Sequence, residues 1–240
     1  MTYPKINLTI TTFDRRFLFQ KTMDSFLDTC QDLDLINRWL IGDDGSSRQD
    51  IVWMQKKYPF LTIYKNPNIG QASNLNHLFS KVETEWFFHM EDDWLFLKKD
   101  NYIRKLFDIV LEDLSIKNAT LRFWKGEDIR TTITGIKYFV HSYKPISKFR
   151  NGLLPKEQQK QRQESNCNWY GYTLNPSLQH KPTIDLLGLY NESFNFRQRI
   201  WDKPIAKKYL KMGLKTANIL DNYIEHIGEG NSAYGVRRRS

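Results

Sequence analysis

Cysteine is almost missing from this chain: Cys30 and Cys167 are the two in 240 residues. They lie far apart and form no Cys-x-x-Cys pair, which removes zinc-ribbon and thiol-redox motifs and leaves two reduced thiols as the expectation. Long hydrophobic runs are missing as well. No segment approaches the roughly 20 apolar residues of a membrane-spanning helix, and Ile6–Ile10, directly behind Met1–Lys5, is far too short. No signal peptide opens the chain, so a cytoplasmic protein, soluble or peripheral to a membrane, is expected. Acids are in the minority, 27 against 36 Lys and Arg, and the formal net charge is +9. That balance favours an anionic partner such as nucleic acid, a phosphorylated small molecule or an acidic membrane surface, without choosing among them. Apolar residues are not scarce: 40% hydrophobic and 14% aromatic content can build a core, which excludes disorder as the default.

The first half reads as strands alternating with helices. Ile6–Thr11 alternates apolar and polar residues and predicts a strand, and Phe19, Met23, Phe26, Leu27 and Cys30 then fall at helical spacing. Arg38–Ile41 predicts a strand ending in the turn cluster Gly42-Asp43-Asp44-Gly45-Ser46-Ser47. A helix over Ile51–Lys57, a strand over Leu61–Tyr64 and a helix over Ala72–Phe79 follow, and Trp86–Met90 is a strand that delivers Glu91-Asp92-Asp93 to its end. Asp100 is the expected cap of a helix with Ile103, Leu106, Phe107, Val110, Leu111 and Leu114 on one face. This order predicts an α/β fold with a mostly parallel sheet covered on both sides, where ligands bind beyond the carboxyl ends of the strands. The second half is less regular: strands are expected at 121–124, 138–141 and 169–174 and a helix from about Pro204 to Met212, while 144–165, basic and rich in glutamine, reads as a mobile loop or surface helix.

Three polar clusters stand at the predicted strand ends, Thr12-Phe13-Asp14-Arg15, Asp43-Asp44 and Glu91-Asp92-Asp93, and a further turn leads into a helix. Glu91-Asp92-Asp93 aims several carboxylates at one crevice, and oxygen ligands suit a hard divalent cation such as Mg²⁺ or Mn²⁺. Asp43-Asp44-Gly45-Ser46 is a turn whose carboxylates can accept hydrogen bonds from a base or ribose while Gly45 permits close backbone approach. Asn68-Ile69-Gly70-Gln71-Ala72-Ser73-Asn74 leads a glycine-containing turn into a helix, whose free N–H groups favour an anion.

Taken in order, Ile-Thr-Thr-Phe-Asp-Arg from Ile10, Asp-Asp-Gly-Ser from Asp43, Asn-x-Gly-x-x-x-Asn from Asn68 and Glu-Asp-Asp from Glu91 resemble the donor half of GT-A fold glycosyltransferases. The resemblance is strongest to the inverting family-two group, covers roughly residues 5–100, and is looser beyond. It implies one GT-A-like domain, with a nucleotide-sugar donor half over about 1–100 and an acceptor half over about 101–240. It implies that Thr11, Thr12, Phe13 and Asp14 line the nucleoside pocket, that Asp43 or Asp44 (Asp44 by position) binds the base, and that Asn74 lies near the donor phosphates or sugar. Glu91-Asp92-Asp93 then matches the DXD-type motif, with Asp93 the direct ligand of Mn²⁺ or Mg²⁺ and Glu91 and Asp92 donor contacts. Thr11 stands where the family often has proline, and Asn74-Leu75 where an Ala-Arg pair is common.

In the second half, His226 in Tyr-Ile-Glu-His-Ile-Gly resembles the last metal ligand of such transferases, and imidazole is a competent Mn²⁺ ligand beside a carboxylate. Asp202, just before Lys203-Pro204, matches the family's place for the general base that deprotonates the acceptor hydroxyl, with Glu192 in reserve. Trp124, Tyr138, Trp169, Tyr170 and Tyr172 are candidate rings for an acceptor platform. The expected partners are a UDP- or GDP-sugar and a glycan or lipid-linked acceptor, in glycan or polysaccharide synthesis; no nucleic acid is expected. Arg237-Arg238-Arg239 offers a peripheral contact to anionic lipid. The competing readings are a basic nucleic-acid-binding module and a sugar nucleotidyltransferase.

Overall fold

The computed structural model describes residues 2–123, 128–141, 171–193 and 203–228. β1 (Ile6–Thr12) is buried along its whole length. Its alternation therefore does not separate core from solvent; it separates two buried faces. Ile6, Leu8 and Ile10 meet the dry face of the sheet, whereas Asn7, Thr9 and Thr11 point to the other. The chain continues through α1 (Arg16–Thr29), a 3₁₀ turn at Leu33–Leu35, β2 (Ile36–Asp43), α2 (Arg48–Lys57), β3 (Leu61–Lys65), α3 (Gln71–Phe79) and β4 (Trp86–Glu91). Then come β5 (Trp94–Phe96), α4 (Tyr102–Glu112), β6 (Ile116–Thr120), β7 (Ile129–Thr131), β8 (Lys137–Val140), β9 (Ser177–His180), α5 (Lys181–Leu187), α6 (Lys203–Lys211), β10 (Lys215–Ile219) and β11 (Ile224–His226).

Nine strands form one sheet in the order β3-β2-β1-β4-β9-β6-β10-β8-β7, and β11 pairs with β5 in a separate ribbon. β1 is parallel to β2 and β4, β2 to β3, and β6 to β10. β9 lies antiparallel between β4 and β6, so β4 and β6 still run the same way. The carboxyl ends of β1, β2, β4, β6 and β10 therefore share one edge, as a mostly parallel α/β sheet requires.

The two faces differ in chemistry. α1 and α4 cover the dry face, where Phe19, Met23, Phe26, Leu106 and Phe107 pack on Leu8, Ile10, Phe88 and Met90. α3, α5 and α6 cover the other with Leu75, Phe79, Ile184, Leu187, Ile205 and Tyr209. Beneath them a polar row crosses five strands in register: Thr9, His89, Ser177, Thr120 and Asn218, each 2% exposed or less. Thr9 Oγ1 lies 3.0 Å from His89 Nδ1, and burial drives the His89 pKa down to about 3, so this imidazole is neutral.

Several local expectations are corrected. The strand expected at 121–124 lies earlier, at Ile116–Thr120, and the described residues of 169–174 hold no strand; the pairing falls instead to β9. Asp100 does not cap α4. The N-cap is Asn101, and Asp100 Oδ2 is drawn away to Lys105 and to the Tyr223 hydroxyl (2.7 Å). Tyr138 and Tyr172 are each 3% exposed, and the Tyr172 hydroxyl bonds Gln179 Oε1 (3.0 Å), so both are interior groups and not an acceptor platform. Trp124, Trp169, Tyr170, Cys167 and 144–165 lie outside the described residues.

Phe26 joins helix to sheet: its fully buried ring contacts Trp39, Phe88, Phe96 and Tyr102, with centroids 4.9–6.2 Å apart. Phe26→Ala is expected to cost about 3–5 kcal/mol, as cavity formation in a core does, measured by urea unfolding. A loss below about 1 kcal/mol would show that α1 does not depend on this cluster.

Candidate active site

The end of β1 sets the site. The Thr12 carbonyl accepts Asp44 N–H (2.9 Å), which joins the turns after β1 and β2. The Thr12 hydroxyl donates to Asp92 Oδ2 (2.6 Å), which ties the same strand end to the turn after β4. Asp14 then takes a left-handed conformation (φ 49°), tolerated by a short polar side chain, and its N–H donates to Ser46 Oγ (2.9 Å). The bend leaves Arg15 at the N-cap of α1, a helix with no capping side chain. A cation is disfavoured at that positive helix end. Arg15 is held there by carboxylates.

After β2, Asp43 and Asp44 divide the work. Asp43 Oδ1 accepts Gly45 N–H (3.1 Å) and Ser46 N–H (2.9 Å) and so shapes the turn. Asp43 Oδ2 is buried and, among the described residues, has no hydrogen-bond partner. Both oxygens of Asp44 receive backbone amides from the turn before α3, Ile69 N–H (2.7 Å) and Gly70 N–H (3.0 Å). Gly70 (φ 90°) supplies the left-handed step that starts α3. Asn74 is 1% exposed and is spent on structure: Nδ2 donates to the Gly42 carbonyl (2.9 Å), and Oδ1 accepts from Asn66 Nδ2 (2.8 Å). Gly42 is required here, because a Cβ would stand 2.7 Å from Asn74 Oδ1.

The acids after β4 come next. Arg15 spans two of them, with Nη2 on Asp92 Oδ1 and Nη1 on Asp93 Oδ2 (2.9 Å). His226, the last residue of β11, reaches Asp93 Oδ2 from the other side, with Nε2 3.4 Å away. The β5–β11 pairing puts His226 opposite Trp94, whose ring lies 4.9 Å from the imidazole, and Ile227 N–H donates to the Asp93 carbonyl (2.9 Å). Gly228 presses on the same carboxylate: a Cβ there would stand 2.3 Å from Asp93 Oδ2. Glu91 Oε1 accepts from Gln71 Nε2 (2.9 Å) at the start of α3.

Burial and the two neighbouring aspartates push the Glu91 pKa up to about 8, so it carries a proton at neutral pH. Burial raises Asp92 to about 6, opposed by Arg15. For Asp93 burial also acts upward, but the His226 hydrogen bond and Arg15 outweigh it and hold this carboxyl below its usual range. His226 is raised in turn, chiefly by its hydrogen bond to Asp93.

Thr11, Thr12, Phe13, Asn74 and Glu91 line one crevice with Arg15 and Gln71. Its free volume, about 20 Å³, is room for one water. Asp14 is exposed beside it. Asp93 and His226, separated by most of the sequence, do meet. Asp202 lies outside the described residues, and Glu192 is exposed and accepts from Asn76 Nδ2 on α3 (2.7 Å), not from the acidic cluster. Sequence reasoning assigned no role to Arg15, Gln71 or Gly228. Arg15 stood within the motif after β1, but its pairing depends on a contact 78 residues away.

The donor set fits a hard divalent cation. Asp93 Oδ1 is buried without a partner among the described residues, beside the paired His226. No group of three or more His, Cys, Asp or Glu among the described residues is arranged to hold a metal by itself. One or two protein ligands completed by substrate phosphates is a common arrangement for such ions.

Titration gives a test. Glu91 and Asp92, raised from 4.5 to about 8 and from 3.8 to about 6, hold protons in the folded chain that the unfolded chain has released. His226, raised, contributes stability that is present below its unfolded pKa and lost as pH rises through the folded one. All three shifts weaken the folded state as pH climbs, whereas His89 and His141, depressed by burial to about 3 and about 4, act the other way below their unfolded value of 6.5, so the net fall is read from about pH 7 to about 8. Urea midpoints of the metal-free protein should fall over that range, and Glu91→Gln should flatten the fall. An unchanged slope in Glu91→Gln would refute the assignment of a buried proton to Glu91.

No family model and no curated protein sequence matches the chain. Among solved structures, the fold is similar to that of the mannosyltransferase PcManGT from Pyrobaculum calidifontis, in complex with GDP-Man and Mn²⁺, with a TM-score of 0.61. Identity is 14%, and the match covers 96% of this chain but 59% of that one. A likeness at this identity concerns architecture alone: the chain has a GT-A-like α/β fold.

Proposed function

We propose that the chain is a metal-dependent glycosyltransferase that moves a sugar from a nucleoside-diphosphate sugar to an acceptor hydroxyl. The observation that carries this reading is the meeting of Asp93 and His226, 3.4 Å apart, at the sheet edge where Thr12, Asp43 and Glu91 also end. Asp93 and His226 would hold Mn²⁺ or Mg²⁺, which when bound offsets the negative charge that builds on a departing diphosphate. The architecture shared with the mannosyltransferase bound to GDP-Man and Mn²⁺ supports the same chemistry.

The chain's own groups have distinct tasks in this scheme. Asp43 Oδ2, buried and unpartnered among the described residues, accepts a hydrogen bond from the base or ribose. Asp44 holds the turn before α3 and acts on the donor through that turn, and Asn74 anchors α3 to β2. Thr11, Thr12, Phe13 and Asp14 form the nucleoside side, with the donor half over about 1–100. Glu91, held by Gln71 at the start of α3, lies on the donor side of the crevice. Asp92, fixed by Thr12 and Arg15, holds the donor side of the crevice. Asp202 is the proposed general base. It takes the acceptor proton as the hydroxyl oxygen bonds to the anomeric carbon and the bond to the diphosphate breaks, so the anomeric configuration inverts. Glu192 is the alternative base. The acceptor is a glycan or a lipid-linked sugar, in polysaccharide synthesis, with Arg237–Arg239 as a peripheral membrane contact. No helix of the described residues is long and apolar enough to cross a membrane.

Thermal-shift and calorimetric titration with GDP, UDP and their sugars, with and without Mn²⁺, tests the reading. One nucleotide should raise the midpoint only with the metal, and Asp93→Asn should weaken its binding about 100-fold. Equal nucleotide affinity in Asp93→Asn, or no nucleotide binding under any metal, would end the proposal. Inversion is checked by NMR of the product anomer; retention would eliminate single displacement by Asp202.

A further inference from the structure

We infer that Arg15 is the site's resident cation: it occupies Asp92 and Asp93 while the site is empty and yields them to the metal when a nucleoside diphosphate offers the guanidinium its own oxygens. This rests on the reading of Asp93 and His226 as metal ligands.

Three observations carry it. Arg15 bonds both carboxylates at once, and its Nη1 shares Asp93 Oδ2 with His226 Nε2. A metal on the unpartnered Asp93 Oδ1 would stand within a few ångströms of the guanidinium held on Oδ2, and the two like charges repel. Second, the Arg15 side chain is 18% exposed, its Nε is buried without a partner among the described residues, and it sits at a helix N-terminus, which disfavours a cation, so its position depends on the aspartates. Third, Arg15 is the long, charged wall of the crevice lined by Thr11, Thr12, Phe13, Gln71, Asn74 and Glu91, so it faces whatever binds there. A guanidinium released beside the crevice meets a diphosphate with the fork geometry suited to phosphate oxygens.

The consequence is a coupling of metal to nucleotide through one side chain. Metal alone must displace Arg15 without giving it a new partner; metal with a diphosphate does not. Linkage makes the effect reciprocal.

The test uses the full chain and reads binding instead of turnover. Free Mn²⁺ is titrated by electron paramagnetic resonance, alone and with saturating GDP or UDP, in wild type, Arg15→Gln, Arg15→Lys and Asp93→Asn. Wild type should bind Mn²⁺ weakly alone and about 10-fold or more tighter with the nucleotide. Arg15→Gln should bind Mn²⁺ alone about 10-fold tighter than wild type, show less enhancement by nucleotide, and bind the nucleotide more weakly at fixed Mn²⁺. Arg15→Lys, which keeps the charge but loses the fork, should fall between them and serves if Arg15→Gln does not fold. The inference is overturned if wild type shows nucleotide-supported Mn²⁺ binding and removal of Arg15 leaves the affinity for Mn²⁺ alone unchanged or weaker. If Asp93→Asn instead binds Mn²⁺ and nucleotide like wild type, the metal site itself is wrong, and the role of Arg15 is overturned with it.

Discussion

Glu91, Asp92 and Asp93 stand side by side at the end of a buried strand, and three negative charges cannot persist there unrelieved. The fold relieves them in three ways. Glu91 keeps its proton and rests on Gln71. Asp92 shares the Thr12 hydroxyl and the Arg15 guanidinium. Asp93 is ionised against Arg15 and His226. Each remedy draws in a different element: α3 for Gln71, the end of β1 for Thr12, the start of α1 for Arg15 and β11 for His226. Removing any one partner leaves a buried carboxylate partly unpaired, which is more costly than the pairing is favourable. The acidic turn thus holds the sheet edge in one arrangement.

The two faces of the sheet serve that edge differently. The dry face, with Phe26 at its centre, fixes α1 against β1 and β4 and so fixes where Arg15 begins the helix. The opposite face buries a row of short polar side chains between β1 and β10. Short side chains and Gly42 let α3 lie close to β2, and this closeness brings the Gly70 turn within reach of Asp44.

Much of the first half was legible in the sequence because its strands are apolar runs closed by turn residues. The three polar clusters also converge as their order suggested. What escaped has physical reasons. β5, β7 and β11 are three residues long, too short to show a period. β9 carries Ser177 and Gln179 yet is buried, so hydropathy gives it no signal, and its side chains are understood only beside Thr120 and Asn118. The roles within the clusters were harder still. Asp43 and Asp44 are adjacent and identical, and only the backbone amides of Ile69 and Gly70 tell them apart. His226 was reached through resemblance, whereas the Arg15 bridge follows from a bend at Asp14 that no periodicity encodes.

The ribbon of β5 and β11 has one more consequence. A chain made from its N-terminus completes β1 to β4 well before β11 exists. In that interval the acidic turn stands without the histidine that later pairs with Asp93. Arg15, encoded close to the first strand, is at hand from the outset, so the same guanidinium can relieve the turn's charge on both Asp92 and Asp93 before β11 completes the pairing.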